Sequence, residues 1–329
     1  MFLGLATAFF CAALLGASEL FALTSPASSS RMVPLRHLLI VVILGSFIGV
    51  LALSPMADFA TKGNMAWPFI SALVGMSLCI PLLWAGVPVS PVQILMAAFM
   101  GASAVGSPLN SMVDLTLIWC MAPLGAAIFA RVLYRWTARL VQKLQVNIFK
   151  LDRILRTGTL LVTGLSAFLV AANNLPLLGA VLNETVNTPE ELLFISGWRQ
   201  LCVLAAAMAV LGHLLSTRIL AHPFDETLYQ YRSAPLPALV ALVSTATLFS
   251  LFTFSGLPLL LSKIGITTPM VVPLSVCQIL MGATLGLSSH LPSWRVKGRT
   301  LGWTALVWIL GPWLAFAMAW ISRLLMASS

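Results

Sequence analysis

The sequence predicts an all-α polytopic membrane protein made of two inverted repeats of about five segments each, with broken or re-entrant helices at the centre. Hydrophobic residues make up 60% of the 329 positions and charged residues only 8%, whereas soluble domains carry about 25% charged residues. Ten apolar segments have roughly the length of a membrane span, and one motif occurs twice. Together these observations exclude a water-soluble globule.

The ten segments follow from length, because a bilayer core takes about 20 apolar residues per helix. Their predicted limits are 1–24, 36–55, 66–84, 87–106, 112–134, 157–182, 196–220, 235–261, 270–290 and 300–326. The fourth and ninth are short and open near a proline, so a re-entrant or broken helix is as expected there as a plain crossing. The first lacks the basic start of a signal peptide and holds Glu19, so it is predicted to be a mature membrane helix.

Basic residues predict the orientation, because those near helix ends stay on the cytoplasmic side. With both termini outside a cell inner membrane, 14 of the 18 Lys and Arg residues fall in cytoplasmic loops. Seven lie within residues 131–156, predicted to be a basic cytoplasmic linker helix between a first repeat at 1–130 and a second at 157–329. An anchor on anionic lipid is the other interpretation of this linker. The net charge of +9 thus belongs to loops, and no nucleic-acid partner is expected.

The internal repeat is clearest in the fourth and ninth segments. Residues 87–96 (VPVSPVQILM) match residues 272–281 (VPLSVCQILM) at seven of ten positions, with an offset of 185. Upstream, residues 16–20 (GASEL) lie over residues 171–175 (AANNL). With five crossings in each half, the second half enters the membrane from the opposite face. Inverted repeats of this kind are typical of secondary transporters, which bind solutes where the repeats meet.

The repeated motif predicts an anion site. A helix that begins in mid-membrane after Pro88 or Pro273 directs unpaired N–H groups and its positive dipole end at a cavity. Neutral donors on the same two segments would add to the site: Ser90, Gln93, Ser275 and Gln278. The alternative is that both prolines are ordinary kinks, and that the polar side chains bond between helices.

Other polar residues in apolar segments are further candidates. Glu19 is predicted to take up a coupling proton or to help hold a cation, because an ionisable group at membrane depth is costly; the alternative places it among the lipid headgroups. Asn173 and Asn174 precede Pro176, which invites an unwound helix; they are ligand donors or an interhelical clamp. His213 and His290 lie near helix ends and are expected at the membrane–water interface.

No enzyme signature is present: the sequence lacks a phosphate-cradling glycine loop with lysine, a metal-spaced His or Cys cluster and an embedded carboxylate pair. The protein is therefore predicted not to be an enzyme, to bind no metal and to use no cofactor apart from a coupling ion, H⁺ or Na⁺.

At these motifs the chain resembles the inorganic phosphate transporter (PiT) family, including its sulfate permease branch. That family has two inverted halves, each with a Gly-Ala-Asn-Asp type motif and a Pro-x-Ser-Thr-Thr type motif. Residues 16–19 (GASE) and 171–174 (AANN) stand in place of the first motif, and residues 88–92 (PVSPV) and 273–277 (PLSVC) in place of the second. The resemblance implies that Ser18, Asn173 and Asn174 line the anion site together with the residues of the second motif.

The resulting hypothesis is a symporter of a tetrahedral oxyanion that works by alternating access. Sulfate is slightly favoured over phosphate, because a site of mostly neutral donors suits an anion with no proton to give. Glu19 in the site would argue for phosphate or would itself have to be protonated. The alternatives are a sodium-coupled phosphate transporter and a non-transporting membrane scaffold subunit. For the oligomeric state in the lipid bilayer, the sequence leaves a homodimer as one option.

Overall fold

The computed structural model describes residues 2–53, 66–85, 87, 89–102, 108–145, 147–186, 197–219, 234–254, 263, 272–290 and 298–327. Each of the ten predicted segments contains a helix. The first segment is α1 (Phe2–Leu15), a π turn (Gly16–Leu20) and α2 (Phe21–Ser29). The others are α3 (Leu35–Leu53), α4 (Ala66–Trp84), α5 (Pro91–Ala102), α6 (Pro108–Leu144), α7 (Ile148–Val186), α8 (Gly197–Ile219), α9 (Pro235–Thr253), α10 (Val276–Ser288) and α11 (Gly298–Ala327).

The described helices are those of a multi-pass membrane protein. Six stretches among them are long and apolar enough to cross a bilayer. Leucines, isoleucines and tryptophans cover their outer faces, as at Ile128 of α6 and Trp303 of α11, which are 68% and 62% exposed. Such a surface is stable in lipid and unfavourable in water. The side of the membrane on which the termini lie stays a prediction.

Helices α5 and α10 are by themselves too short to cross a bilayer. They have 12 and 13 residues, which gives each a length of about 18 to 20 Å, whereas a bilayer core is about 30 Å thick. Extended backbone precedes α10, since its N-cap residue Ser275 has φ −101° and ψ 123°. These are the broken or re-entrant helices that the sequence predicts in the fourth and ninth segments.

Close helix crossings join the two repeats to each other. Gly101 of α5 lies against the backbone carbonyl of Phe316 in α11, and its counterpart in the repeat, Gly286 of α10, lies against the carbonyl of Ala127 in α6. Each short helix therefore packs on the last helix of the opposite repeat. Glycine is needed because any Cβ at these positions would overlap a backbone oxygen.

Helices of opposite repeats also cross closely at the other end of each repeat. Gly49 of α3 lies against the carbonyl of Phe168 in α7, and Gly212 of α8 lies against the carbonyl of Ala13, the counterpart of Phe168, in α1. Two pairs of crossings, each pair related by the repeat, therefore interlock the halves. The repeat found in the sequence is thus present in the contacts between the two halves.

Two sequence-based expectations about α6 and α7 change. The basic stretch 131–156 is no separate helix, because α6 continues to Leu144, a turn follows at Gln145, and α7 begins at Ile148. The unwound helix expected at Asn173 and Asn174 is wrong, since α7 is helical throughout. One proline removes a single backbone bond, and the surrounding apolar helix keeps the others because unpaired backbone groups are costly in lipid.

Candidate functional site

All eight candidate residues of the two motifs are buried, with side chains no more than 3% exposed. They are Ser18, Glu19, Ser90, Gln93, Asn173, Asn174, Ser275 and Gln278. Pro88, which begins the first copy of the later motif, lies outside the described residues. Since buried polar groups need partners, the hydrogen bonds of these side chains define what the site can do.

The π turn places Glu19 against the beginning of α10. Its Oε2 accepts a hydrogen bond from the backbone N–H of Val276 at 2.6 Å, and longer ones from the N–H of Cys277 at 3.4 Å and from the Ser275 hydroxyl at 3.5 Å. Single π turns inside α-helices occur often at functional sites. The Glu19 side chain itself is completely buried within the protein.

These contacts form an anion site that a side chain of the same chain occupies. The first N–H groups of a helix have no intrahelical partner and carry partial positive charge, so a carboxylate is bound there as any anion would be. The other carboxylate oxygen, Oε1, is buried without a hydrogen-bond partner. The Ser90 hydroxyl is likewise buried without a hydrogen-bond partner.

The earlier motif of each repeat holds the extended segment that precedes the short helix. The Ser18 hydroxyl donates to the Val89 carbonyl at 2.6 Å, and Asn174 Nδ2 donates to the Leu274 carbonyl at 3.0 Å. Val89 and Leu274 are counterparts in the repeat. Asn173 adds a further bond, since its Oδ1 accepts from the N–H of Leu274 at 3.1 Å. Both motifs therefore meet in space, as their sequences predict.

Gln93 and Gln278 bond to each other. Gln93 Nε2 donates to Gln278 Oε1 at 2.9 Å, and Gln278 Nε2 donates to Gln93 Oε1 at 2.8 Å. The two residues are counterparts in the repeat, separated by 185 positions. A reciprocal bond between counterparts means that the pseudo-two-fold axis relating the repeats passes between the two amides.

Sequence reasoning missed two further residues. Trp119 Nε1 donates to the Pro273 carbonyl at 2.9 Å and so fixes the second motif from α6. The available signal was Trp308, which holds the matching place in the second repeat, 189 positions later. His213, expected at the interface, is completely buried beside the Phe21 ring, and neither of its ring nitrogens has a hydrogen-bond partner. No periodicity distinguishes it from its apolar neighbours.

A cavity of about 300 Å³ reaches the site from the side. It lies between α6, α10 and α11, and Gln278 forms part of its wall together with the repeated tryptophans Trp119 and Trp308. Its remaining lining is mostly apolar, so a charged solute would find few partners in it. The polar groups of the two motifs are instead closed around one another.

The chain is similar to known proteins over nearly its whole length. No family model matches the chain. It is 24% identical over 325 residues to "Putative phosphate permease MJ0630" of Methanocaldococcus jannaschii, which covers 97% of this chain and 95% of that protein. A solved structure described as "The sodium-dependent phosphate transporter" matches 99% of this chain and 98% of its own with a TM-score of 0.71 and 13% identity. The resemblance to the PiT family is confirmed. Since both matches run through both repeats, the PiT-like fold extends over nearly the whole chain.

Proposed function

We propose that this PiT-like protein is a secondary transporter of inorganic phosphate that couples uptake to protons through Glu19. The observation that carries the proposal is the contact between the Glu19 carboxylate and the N-terminus of α10. The donors in that contact are those that a phosphate oxygen requires, namely backbone N–H groups and a serine hydroxyl. Glu19 and a bound oxyanion would therefore compete for the same groups.

Protonation of Glu19 would decide this competition. A carboxylate accepts hydrogen bonds roughly twice as strong as those to a neutral acceptor, so a protonated Glu19 would release the α10 N-terminus more readily. An ionised Glu19 would also repel an incoming anion at short range in a medium of low dielectric constant. A proton that favours phosphate binding is itself favoured by bound phosphate, and this reciprocity is the basis of symport.

The repeat gives Glu19 an asymmetric role. Its counterpart is Asn174, and the counterpart of Val276, its nearest donor, is Pro91, which has no backbone N–H. In agreement with this, Asn174 Oδ1 is buried without a hydrogen-bond partner. The charged contact belongs to the end of α10 alone, so one repeat carries the proton switch.

Phosphate takes precedence over sulfate in this proposal. Both relatives are named for phosphate, and this is the reason for the order. The sulfate preference drawn from the sequence rested on neutral donors alone. Sulfate stays the second candidate because Ser90, Asn174 and Ser275 would suit either anion.

Uptake into proteoliposomes tests the proposal. We expect purified protein to accumulate labelled phosphate when the outside is acidified, and a protonophore to abolish the accumulation. Labelled sulfate in the same vesicles measures selectivity, and a sodium gradient without a proton gradient tests the alternative ion. Accumulation driven by sodium alone would refute proton coupling, and uptake of neither anion under any gradient would favour the scaffold alternative.

A further inference from the structure

The Gln93–Gln278 pair differs from every other contact of the candidate site in its symmetry. Each amide is the counterpart of the other, each donates one hydrogen bond to the other, and both side chains are almost completely buried. The contacts of Glu19, by contrast, join residues that are not counterparts. When an inverted-repeat protein changes conformation, the first kind of contact is kept and the second kind is broken.

Inverted repeats alternate access by exchanging the conformations of the two halves. When the halves exchange conformations, a contact between one residue of the first repeat and one of the second is lost, and the contact between their two counterparts forms in its place. A contact between a residue and its own counterpart is the same in both conformations. The Gln93–Gln278 pair is thus compatible with both end states, whereas the contact of Glu19 with Val276 becomes one between Asn174 and Pro91, which lacks the donor.

We propose that the Gln93–Gln278 amide pair is the fixed pivot about which the two repeats rock, and that neither amide is a phosphate ligand. This inference rests on the proposed transport function. The pivot replaces the ligand role that the sequence suggested for both glutamines, because each amide already donates one hydrogen bond to the other and accepts one from it.

The packing around the pair supports a pivot. Gln93 lies on α5 and Gln278 on α10, in the first turn of each short helix. Each of these helices is fixed by a glycine crossing to the last helix of the other repeat, at Gly101 and Gly286. The amide pair therefore joins the two short helices at the symmetry axis, where rotation of the halves moves atoms least.

A double-mutant cycle with Gln93→Leu and Gln278→Leu tests the pivot. Each single variant leaves one buried amide without its partner, whereas replacing both removes both polar groups, which can be nearly neutral. We expect each single variant to lose transport and thermal stability. The double variant should regain both, with a phosphate Kd within about twofold of wild type, as for sites that do not couple to the ligand.

Other roles predict other outcomes. If the amides bind phosphate, the double variant will bind it more weakly than either single variant. If the pair is a gate that must break in every cycle, the double variant will regain stability but leak phosphate without a proton gradient. Either result overturns the pivot while wild-type transport stands. Absence of phosphate transport by the wild-type protein would instead refute the proposed function and the pivot with it.

Discussion

Glu19→Gln is expected to abolish proton-driven accumulation of phosphate while phosphate exchange across the membrane continues. Glutamine keeps the length of the side chain and an oxygen that can accept from the N–H of Val276, but it is neutral at every pH and carries no proton across. The α10 N-terminus then stays available to phosphate from either side. Coupling free energies of this kind are typically worth about 5- to 150-fold, so we expect the accumulation ratio to fall by at least about tenfold.

Asp114→Asn is the matched control, since it makes the same chemical change in α6 at a residue outside both motifs. Accumulation by this variant should equal that of the wild type. Both variants are compared by labelled phosphate uptake with an acidic exterior, and by exchange of internal for external phosphate without a gradient. If Glu19→Gln still accumulates phosphate, Glu19 is not the coupling residue.

Gly286→Ala is expected to destabilise the protein severely. A Cβ on Gly286 would lie 2.0 Å from the backbone oxygen of Ala127, and no side-chain rotation can relieve an overlap with backbone. Helices α10 and α6 would have to move apart, which would also shift Val276 and Cys277 away from Glu19. Overpacking of this kind costs typically 1–3 kcal/mol and occasionally more; we expect about 3 kcal/mol.

Gly302→Ala in α11 serves as the control, because its Cβ would meet no atom within 4 Å. Alanine is the better helix former by about 1 kcal/mol, so this variant should be as stable as the wild type or slightly more so. Thermal unfolding of the purified protein in detergent compares the two variants. Equal stability of Gly286→Ala and the wild type would show that the α6–α10 crossing is looser than the structure describes.

Much of the fold can be predicted from the sequence, because lipid imposes simple rules. Segment lengths give the helices, and seven identities in residues 87–96 and 272–281 reveal the repeat before any coordinates. The late starts of α5 and α10 agree with Pro91, which opens α5, and with Pro273, which precedes α10. Helix ends are less predictable: α6 and α7 run on into the basic stretch because polar residues continue a helix as readily as they end it.

The composition of the site was predictable, whereas its pairing was not. Polar residues in apolar segments are expensive, so Ser18, Glu19 and Gln278 could be singled out individually. Which partner each one meets depends on how the two repeats interlock across more than 250 positions, as between Glu19 and Val276. A local pattern cannot carry that information, and it therefore did not predict that Gln93 and Gln278 bond to each other.

If Glu19 and phosphate compete for the N-terminus of α10, as we propose, phosphate binding depends on pH through Glu19. Equilibrium binding of labelled phosphate is measured across a pH series for the wild type and for Glu19→Gln. Phosphate ionises in the same way in both experiments, so a difference between the two pH profiles is due to Glu19. We expect wild-type affinity to weaken by about tenfold as rising pH removes the Glu19 proton, and the affinity of the variant to stay high. Identical pH profiles for the two proteins, or loss of phosphate binding in the variant, would contradict the claim.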